Sequence, residues 1–214
     1  MSLGDQNDNP VEEHECFHED GSRVVYLPVT NRIADRKIRT QAIISELIAS
    51  DGGERILDIG GNEYQSFCQE QGIEYTMLNL ASPQRTGTGG YHGGGMTYDG
   101  RTLPFPAGET FDLVILNFVL HHAAENALPI LRQVKEIAAR YVLIGEDLTG
   151  IDYAASWHDR NHKHQPGGVF RSDQEWRLLL SMFGLPVLRQ YVIRREDDVD
   201  PGRVYRCMYL CSVD

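Results

Sequence analysis

The stretch Arg55–Tyr64, RILDIGGNEY, constrains this chain more than any other: a short apolar strand stops at an aspartate-glycine turn and a helix begins. Glycine has no Cβ, so backbone at Gly60 and Gly61 can lie directly against a ligand. A helix starting just beyond the turn offers unpaired N–H groups and a positive dipole end. A second stretch, Leu103–His122 (LPFPAGETFDLVILNFVLHH), supplies a turn, a nearly all-apolar strand over Phe111–Phe118 and another helix start. A strand that apolar is covered on both faces, as in a parallel sheet flanked by helices. The two stretches predict a nucleotide pocket at the carboxyl edge of such a sheet, with Asn117 and Phe118 at a strand exit.

The rest of the chain is consistent with one α/β domain over residues 23–214, behind a polar, acidic and flexible tail over residues 1–22. Arg23–Val29 reads as an edge strand or a covering loop, because Pro28 cannot serve a central strand. Ile43, Ile44, Leu47 and Ile48 share one face of a helix over Ile33–Ser50, which Asp51-Gly52-Gly53 stops. A helix over Tyr64–Gln71, a strand over Glu74–Leu80, a glycine-rich loop over Ala81–Gly95 and a short strand over Met96–Tyr98 follow. Glu125–Arg140 carries an amphipathic stripe, and Tyr141–Gly145 is a further strand that delivers Glu146 and Asp147 to the substrate side. Ser172 and Glu175 have the spacing of a capping box for a helix over Ser172–Phe183. Pro186–Arg194 and Arg203–Cys211 form a terminal antiparallel pair, with Cys207, Tyr209 and Cys211 on one face. The long segment 149–170, with Tyr153, Trp157 and three histidines, reads as a substrate-side insertion or lid.

At these same residues the chain resembles the class I S-adenosylmethionine-dependent methyltransferases, in particular the small-molecule "type 11" branch that includes the ubiquinone/menaquinone-biosynthesis type. The resemblance implies a Rossmann-like fold: a mostly parallel seven-stranded sheet with an antiparallel terminal hairpin and helices on both faces. It implies S-adenosyl-L-methionine as cofactor and S-adenosyl-L-homocysteine as product. The family's Asp-x-Gly-x-Gly-x-Gly turn corresponds here to Asp58, Gly60, Asn62 and Tyr64, with Gly61 beside the first glycine, so the glycine motif is degenerate. Asn62 tolerates left-handed backbone and can preserve the turn. Tyr64 implies a different helix approach or an aromatic near the methionine end. Asn79, followed by Leu80, stands where the family usually has an acidic residue on the ribose; an amide can accept from one hydroxyl and donate to the other. Asp99, beside Gly100, fits the acidic residue that meets the adenine amine. Asn117 and Phe118 complete the cofactor-binding set.

Methyl transfer from a sulfonium asks the protein chiefly to position and desolvate, and an oxygen or nitrogen acceptor gains from a nearby base. His121, His158 and Glu146 are the catalytic candidates, with Asp147 behind them. His14-Cys16-His18 lacks the spacing of an established zinc site; His158, His162 and His164 could hold a metal, His158 and His162 being one helical turn apart, but a solvated loop is the better reading, so no metal is assigned. A net charge of −11 disfavours a nucleic-acid partner and points to a small-molecule or partner-presented acceptor. Without a long apolar run or signal peptide, the chain reads as cytoplasmic, off the membrane, with reduced thiols; its oligomeric state is not assigned. Asn62, Tyr64 and Asn79 leave a second reading, a non-catalytic scaffold of the same fold. A nicotinamide-dependent oxidoreductase lacks its G-x-G-x-x-G turn here.

Overall fold

In the computed structural model, which describes residues 14–27, 34–81, 95–148, 169–193 and 206–213, thirteen elements follow one another. They are β1 (His14–Phe17), β2 (Arg23–Tyr26), α1 (Ala34–Asp51), β3 (Arg55–Ile59), α2 (Gln65–Glu70), β4 (Glu74–Leu80), β5 (Met96–Tyr98) and β6 (Phe111–Asn117), then α3 (Ala127–Ile137), β7 (Ala138–Asp147), α4 (Asp173–Met182), β8 (Val187–Ile193) and β9 (Arg206–Ser212). One sheet holds all the strands, in the order β1-β2-β8-β9-β7-β6-β3-β4-β5. The chain steps outward from β3 through β4 to β5, returns to lay β6 beside β3, and steps the other way to β7; these five are parallel. β9 runs antiparallel to both β7 and β8. The order therefore reverses between β3 and β6, and a ligand crevice opens at such a switch point.

Alternation along β6 shows why the sheet is covered twice. Leu113 and Ile115 pack with Ile43 and Ile44 of α1 and Cys68 of α2. Val114 and Leu116 pack with Ile130, Leu131 and Val134 of α3 and Trp176 and Leu180 of α4. At the amino end of the sheet Asp112 accepts from the Glu54 and Arg55 amides at 2.9 and 3.0 Å, which fixes the strand starts far from the crevice.

α4 starts with the capping box that its sequence announces. Glu175 N–H donates to Ser172 Oγ at 3.3 Å, and Ser172 N–H donates back to the Glu175 carboxylate at 2.7 Å. Ser172→Ala is expected to lower stability by about 1 kcal/mol. A thermal melt would show this as a midpoint lower by roughly 2–4 °C.

Several expectations from sequence change. The sheet has nine strands among the described residues, not seven. The two additions are β1 and β2: part of the expected tail, His14–Phe17, pairs antiparallel with β2, and β2 joins β8 in parallel. A tight turn closes that hairpin, with Gly21 at φ 82° and Ser22 N–H donating to Asp20 at 2.9 Å. β2 is consequently an internal strand; Pro28 and residues 1–13 lie outside the described residues. The helix expected over Glu125–Arg140 is shorter. Two 3-10 turns, Leu120–His122 and Ala124–Asn126, precede α3, which ends at Ile137 where Ala138 turns extended. Ala138 pairs with Phe111 and Tyr141 with Ser212, so strand pairing overrides the helix preference of two alanines. Among the described residues no helix is long and apolar enough to cross a membrane, and no group of side chains is arranged to hold a metal ion. All four cysteines are unbonded; Cys207 and Cys211 are buried, which pushes their thiols up.

Candidate functional site

The glycine turn after β3 is pressed from two sides. Gly60 has φ 84°, donates to Leu78 O at 2.8 Å, and leaves no room for a Cβ, which would lie 2.5 Å from Val119 Cγ2. A Cβ on Gly61 would meet both Asp58 carboxylate oxygens, at 2.5 and 2.7 Å. Both glycines are therefore required by close approach, and the turn lies against the chain leaving β6 at the switch point. Asn62 is not in the left-handed region; among the described non-glycine residues only Phe118 and Ala124 are, so Gly60 makes the turn by itself.

Asp58 ends up beneath that turn, 1% exposed. The Tyr75 hydroxyl donates to its Oδ2 at 2.5 Å, and the charge of Arg36 acts on it more weakly. Burial pushes the Asp58 carboxyl up to about 7 against the opposing pull of Tyr75, and the Tyr75 phenol is itself pushed up by burial and by Asp58. Sequence reasoning missed Tyr75. The signal was available, since Asp58 pairs with Met77 and the strand period of two puts Tyr75 on the same face.

Tyr64 is buried in the interior. It is the residue before α2, 1% exposed and packed in the α1-side core, and its burial pushes the phenol up to about 12. Asn117 Nδ2 donates to the Tyr64 hydroxyl at 3.0 Å and lies 3.4 Å from Thr40 Oγ1, so one amide ties α1, the glycine turn and the β6 exit together. Asn117 Oδ1 is buried with no hydrogen-bond partner among the described residues. Phe118, next along, sits at φ 61°, its N–H donating to Gly145 O at 2.7 Å. A bulky residue held there stores about 1–3 kcal/mol of strain, and such residues cluster at binding sites.

The remaining predicted contacts line the same rim. Asn79, half-buried, reaches toward Gly61 O, with its Nδ2 at 3.5 Å. Leu80 is largely exposed, and Gly100, at φ 82°, approaches it so closely that a Cβ would lie 2.8 Å from Leu80 Cδ2. Asp99 Oδ1 accepts from the Arg101 and Thr102 amides at 2.8 Å each, which holds the carboxyl below its usual range.

His121 and Glu146 are brought together, but in the interior. Glu146 is wholly buried rather than turned to the substrate side, and its carboxylate accepts from Leu120 N at 2.9 Å, His121 N at 3.2 Å and His121 Nδ1 at 2.7 Å. Burial outweighs these donors and raises its pKa. The His121 ring is 1% exposed and stacks on Phe170 at 5.0 Å. Asp147 instead pairs with Arg206 at 2.5 Å. His158 and residues 149–168 of the expected insertion lie outside the described residues. The two ends of that segment meet where Leu148 bridges Arg171, and Val169 N–H donates to His121 O at 2.8 Å.

No protein-family model matches this sequence, and no curated protein does. Solved structures do. The magnesium protoporphyrin IX methyltransferase ChlM from Synechocystis PCC 6803, with bound S-adenosylhomocysteine, is similar at 15% identity and a TM-score of 0.56, over 82% of this chain and 83% of that one. The 1,6-didemethyltoxoflavin-N1-methyltransferase of Burkholderia thailandensis, with its substrate and S-adenosylhomocysteine bound, is similar at 17% identity and a TM-score of 0.56, over 82% and 77%. The mitomycin 7-O-methyltransferase MmcR gives 17% identity and a TM-score of 0.52 over 76% of this chain, which spans only 50% of that protein. The chain thus has the Rossmann-like class I methyltransferase fold.

Proposed function

We propose that the chain binds S-adenosyl-L-methionine along the carboxyl rim of β3, β4, β5 and β6 and transfers its methyl group to an oxygen or nitrogen of a small-molecule or partner-presented acceptor. The observation that carries this reading is the Gly60–Gly61 turn, seated on buried Asp58 and against Val119 at the switch point of a class I methyltransferase sheet. The residues fit the group: a cradle without Cβ atoms, the buried and unpartnered Oδ1 of Asn117, and an amide at Asn79 within reach of a ribose. Gly60, Gly61 and Asn62 lie along the nucleoside backbone, Asn79 takes the ribose, Leu80 covers the base, Asp99 and Gly100 meet its edge, and Asn117 and Phe118 face the sulfur side.

Held by Gly60, Gly61, Asn79 and Asp99, the cofactor would supply a sulfonium methyl as the electrophile for the acceptor's oxygen or nitrogen. The chain's own task is to hold the two in place and exclude water. Glu146 accepts from His121 Nδ1 and so orients the imidazole. His121 is the base in this reading and Glu146 acts through it as a positioning residue. His158 keeps its place as a second base candidate on sequence grounds alone.

Thermal unfolding tests the cofactor class. S-adenosylhomocysteine at a hundred times its dissociation constant should stabilise the protein by about 2.7 kcal/mol. NAD should leave the midpoint unmoved. A shift with NAD and none with S-adenosylhomocysteine would reverse the assignment.

A further inference from the structure

Just past the carboxyl end of β7, two buried hydrogen-bond donors lack an acceptor among the described residues: Arg171 Nη1 and Trp176 Nε1. Leu148 bridges Arg171 in parallel, so Arg171 extends the sheet beside the β7 exit. Its guanidinium lies 5.2 Å from the centroid of the Trp176 ring in α4, so the two donors belong to stacked groups. Trp176 is 0% exposed and shares a core with Leu120 and Leu148, so bulk solvent does not satisfy its N–H. A stranded donor costs about 1–3 kcal/mol, and a guanidinium cannot shed its proton to escape the cost. Glu175, one helical turn on, is already committed: one of its oxygens takes both the amide and the hydroxyl of Ser172, at 2.7 and 2.9 Å. Two donors with a single positive charge match a group that only accepts and carries a single negative charge. A carboxylate is that group, with one oxygen for each donor. The place is also the right one for a reacting partner. Phe170, adjacent to Arg171, stacks on the His121 ring, and Val169 N–H donates to His121 O at 2.8 Å.

We propose that Arg171 and Trp176 form a binding site for a carboxylate of the methyl acceptor, Arg171 supplying the counter-charge and the Trp176 indole a neutral donor. The acceptor is accordingly a small organic acid, anchored by its carboxylate while another oxygen or nitrogen receives the methyl group. That the bound acid is the methyl acceptor rests on the reading above; that the site takes a carboxylate does not.

Proton–nitrogen NMR of the full chain tests it, with sodium benzoate as the probe and benzamide as its neutral counterpart. The chain has two tryptophans, and the Trp157→Phe variant identifies which indole N–H signal belongs to Trp176. Benzoate should move that signal in a saturable titration, and benzamide should bind roughly 10- to 100-fold more weakly, the range of charge-assisted hydrogen bonds. Arg171→Met should weaken benzoate to the level of benzamide, and Arg171→Lys should restore part of the difference, with the rest of the spectrum unchanged to show that each variant is folded. The comparison of the two probes needs no variant, so it decides the matter even if Arg171→Met fails to fold. No response to benzoate, an equal response to both probes, or a folded Arg171→Met protein that binds benzoate like the wild type overturns the site, and buried water then satisfies the two donors. A benzoate response in a protein whose melting point S-adenosylhomocysteine does not move keeps the carboxylate site and overturns its assignment to a methyl acceptor.

Discussion

Glu146→Ala is expected to lower the unfolding free energy by about 3–5 kcal/mol, the range seen when one member of a buried, hydrogen-bonded polar pair is removed. Two amides and an imidazole, those of Leu120 and His121, would lose their acceptor at a site with no access to water. Each donor stranded in this way carries its own desolvation penalty, about 1–3 kcal/mol. The consequence is local as well as global. Glu146 closes the 3-10 turn that directs the chain away from β6, and that turn holds Val119 against Gly60. Glu146→Gln retains one carbonyl acceptor and brings an N–H₂ toward groups that already donate, so its loss should lie between zero and that of alanine. Urea unfolding followed by tryptophan fluorescence reads both, Trp176 being fully buried. A loss under about 1 kcal/mol in the alanine variant, below the penalty for even one stranded donor, would mean that water fills the site and the pair holds nothing in place.

Asp58→Asn should act in the opposite direction on stability. Burial raises the folded-state pKa of Asp58 from the ordinary 3.8 to about 7. Between those values the folded chain binds a proton that the unfolded chain has released, so stability falls as pH rises through the window and the full penalty is in force above about pH 7. The upper bound of that penalty is about 4 kcal/mol. An amide cannot ionise, so the variant should melt at nearly the same temperature from about pH 6 to pH 9 while the wild type loses stability. Above about pH 8 the variant should be the more stable by at least ~1 kcal/mol. The carboxamide of the variant can still accept from Tyr75, which preserves the side-chain hydrogen bond that Asp58 has among the described residues. A buried carboxylate that weakens its own fold is a reason to look for a ligand that repays it. Wild-type and variant melts that run parallel across this pH range would place the Asp58 pKa near its ordinary value and remove the reason.

The parts of this architecture that follow from local pattern were legible in the sequence. A continuous apolar run gave the strand at Phe111, glycine at 60 and 61 gave the turn, and Ser172 with Glu175 gave the start of α4. What was hidden depends on pairing across the chain. HECF, in an acidic context, has no strand signature until Arg23–Tyr26 lies beside it, with Glu15 paired to Arg23. Glu146 follows the expected strand and reads as a residue on the substrate side; in the fold it stays within β7, opposite Cys207 of β9, and meets His121 in the interior. Nothing about phenylalanine announces a φ of 61°, and Arg36 and Glu63 meet only because α1 folds back over the glycine turn. The candidate cofactor residues were named from the family resemblance, most of them at or just past the carboxyl ends of parallel strands, which is why they share a rim. Their individual roles remain proposals.

Co-crystallisation with S-adenosylhomocysteine tests the cofactor site most directly. Electron density for the nucleoside should run along the strand ends, with its ribose on Asn79, its base beside Asp99 and Gly100, and its thioether close to Phe118. A crevice closed by Phe118 and the glycine turn, with the nucleoside absent or bound elsewhere, would leave the methyltransferase fold standing without a methyltransferase site.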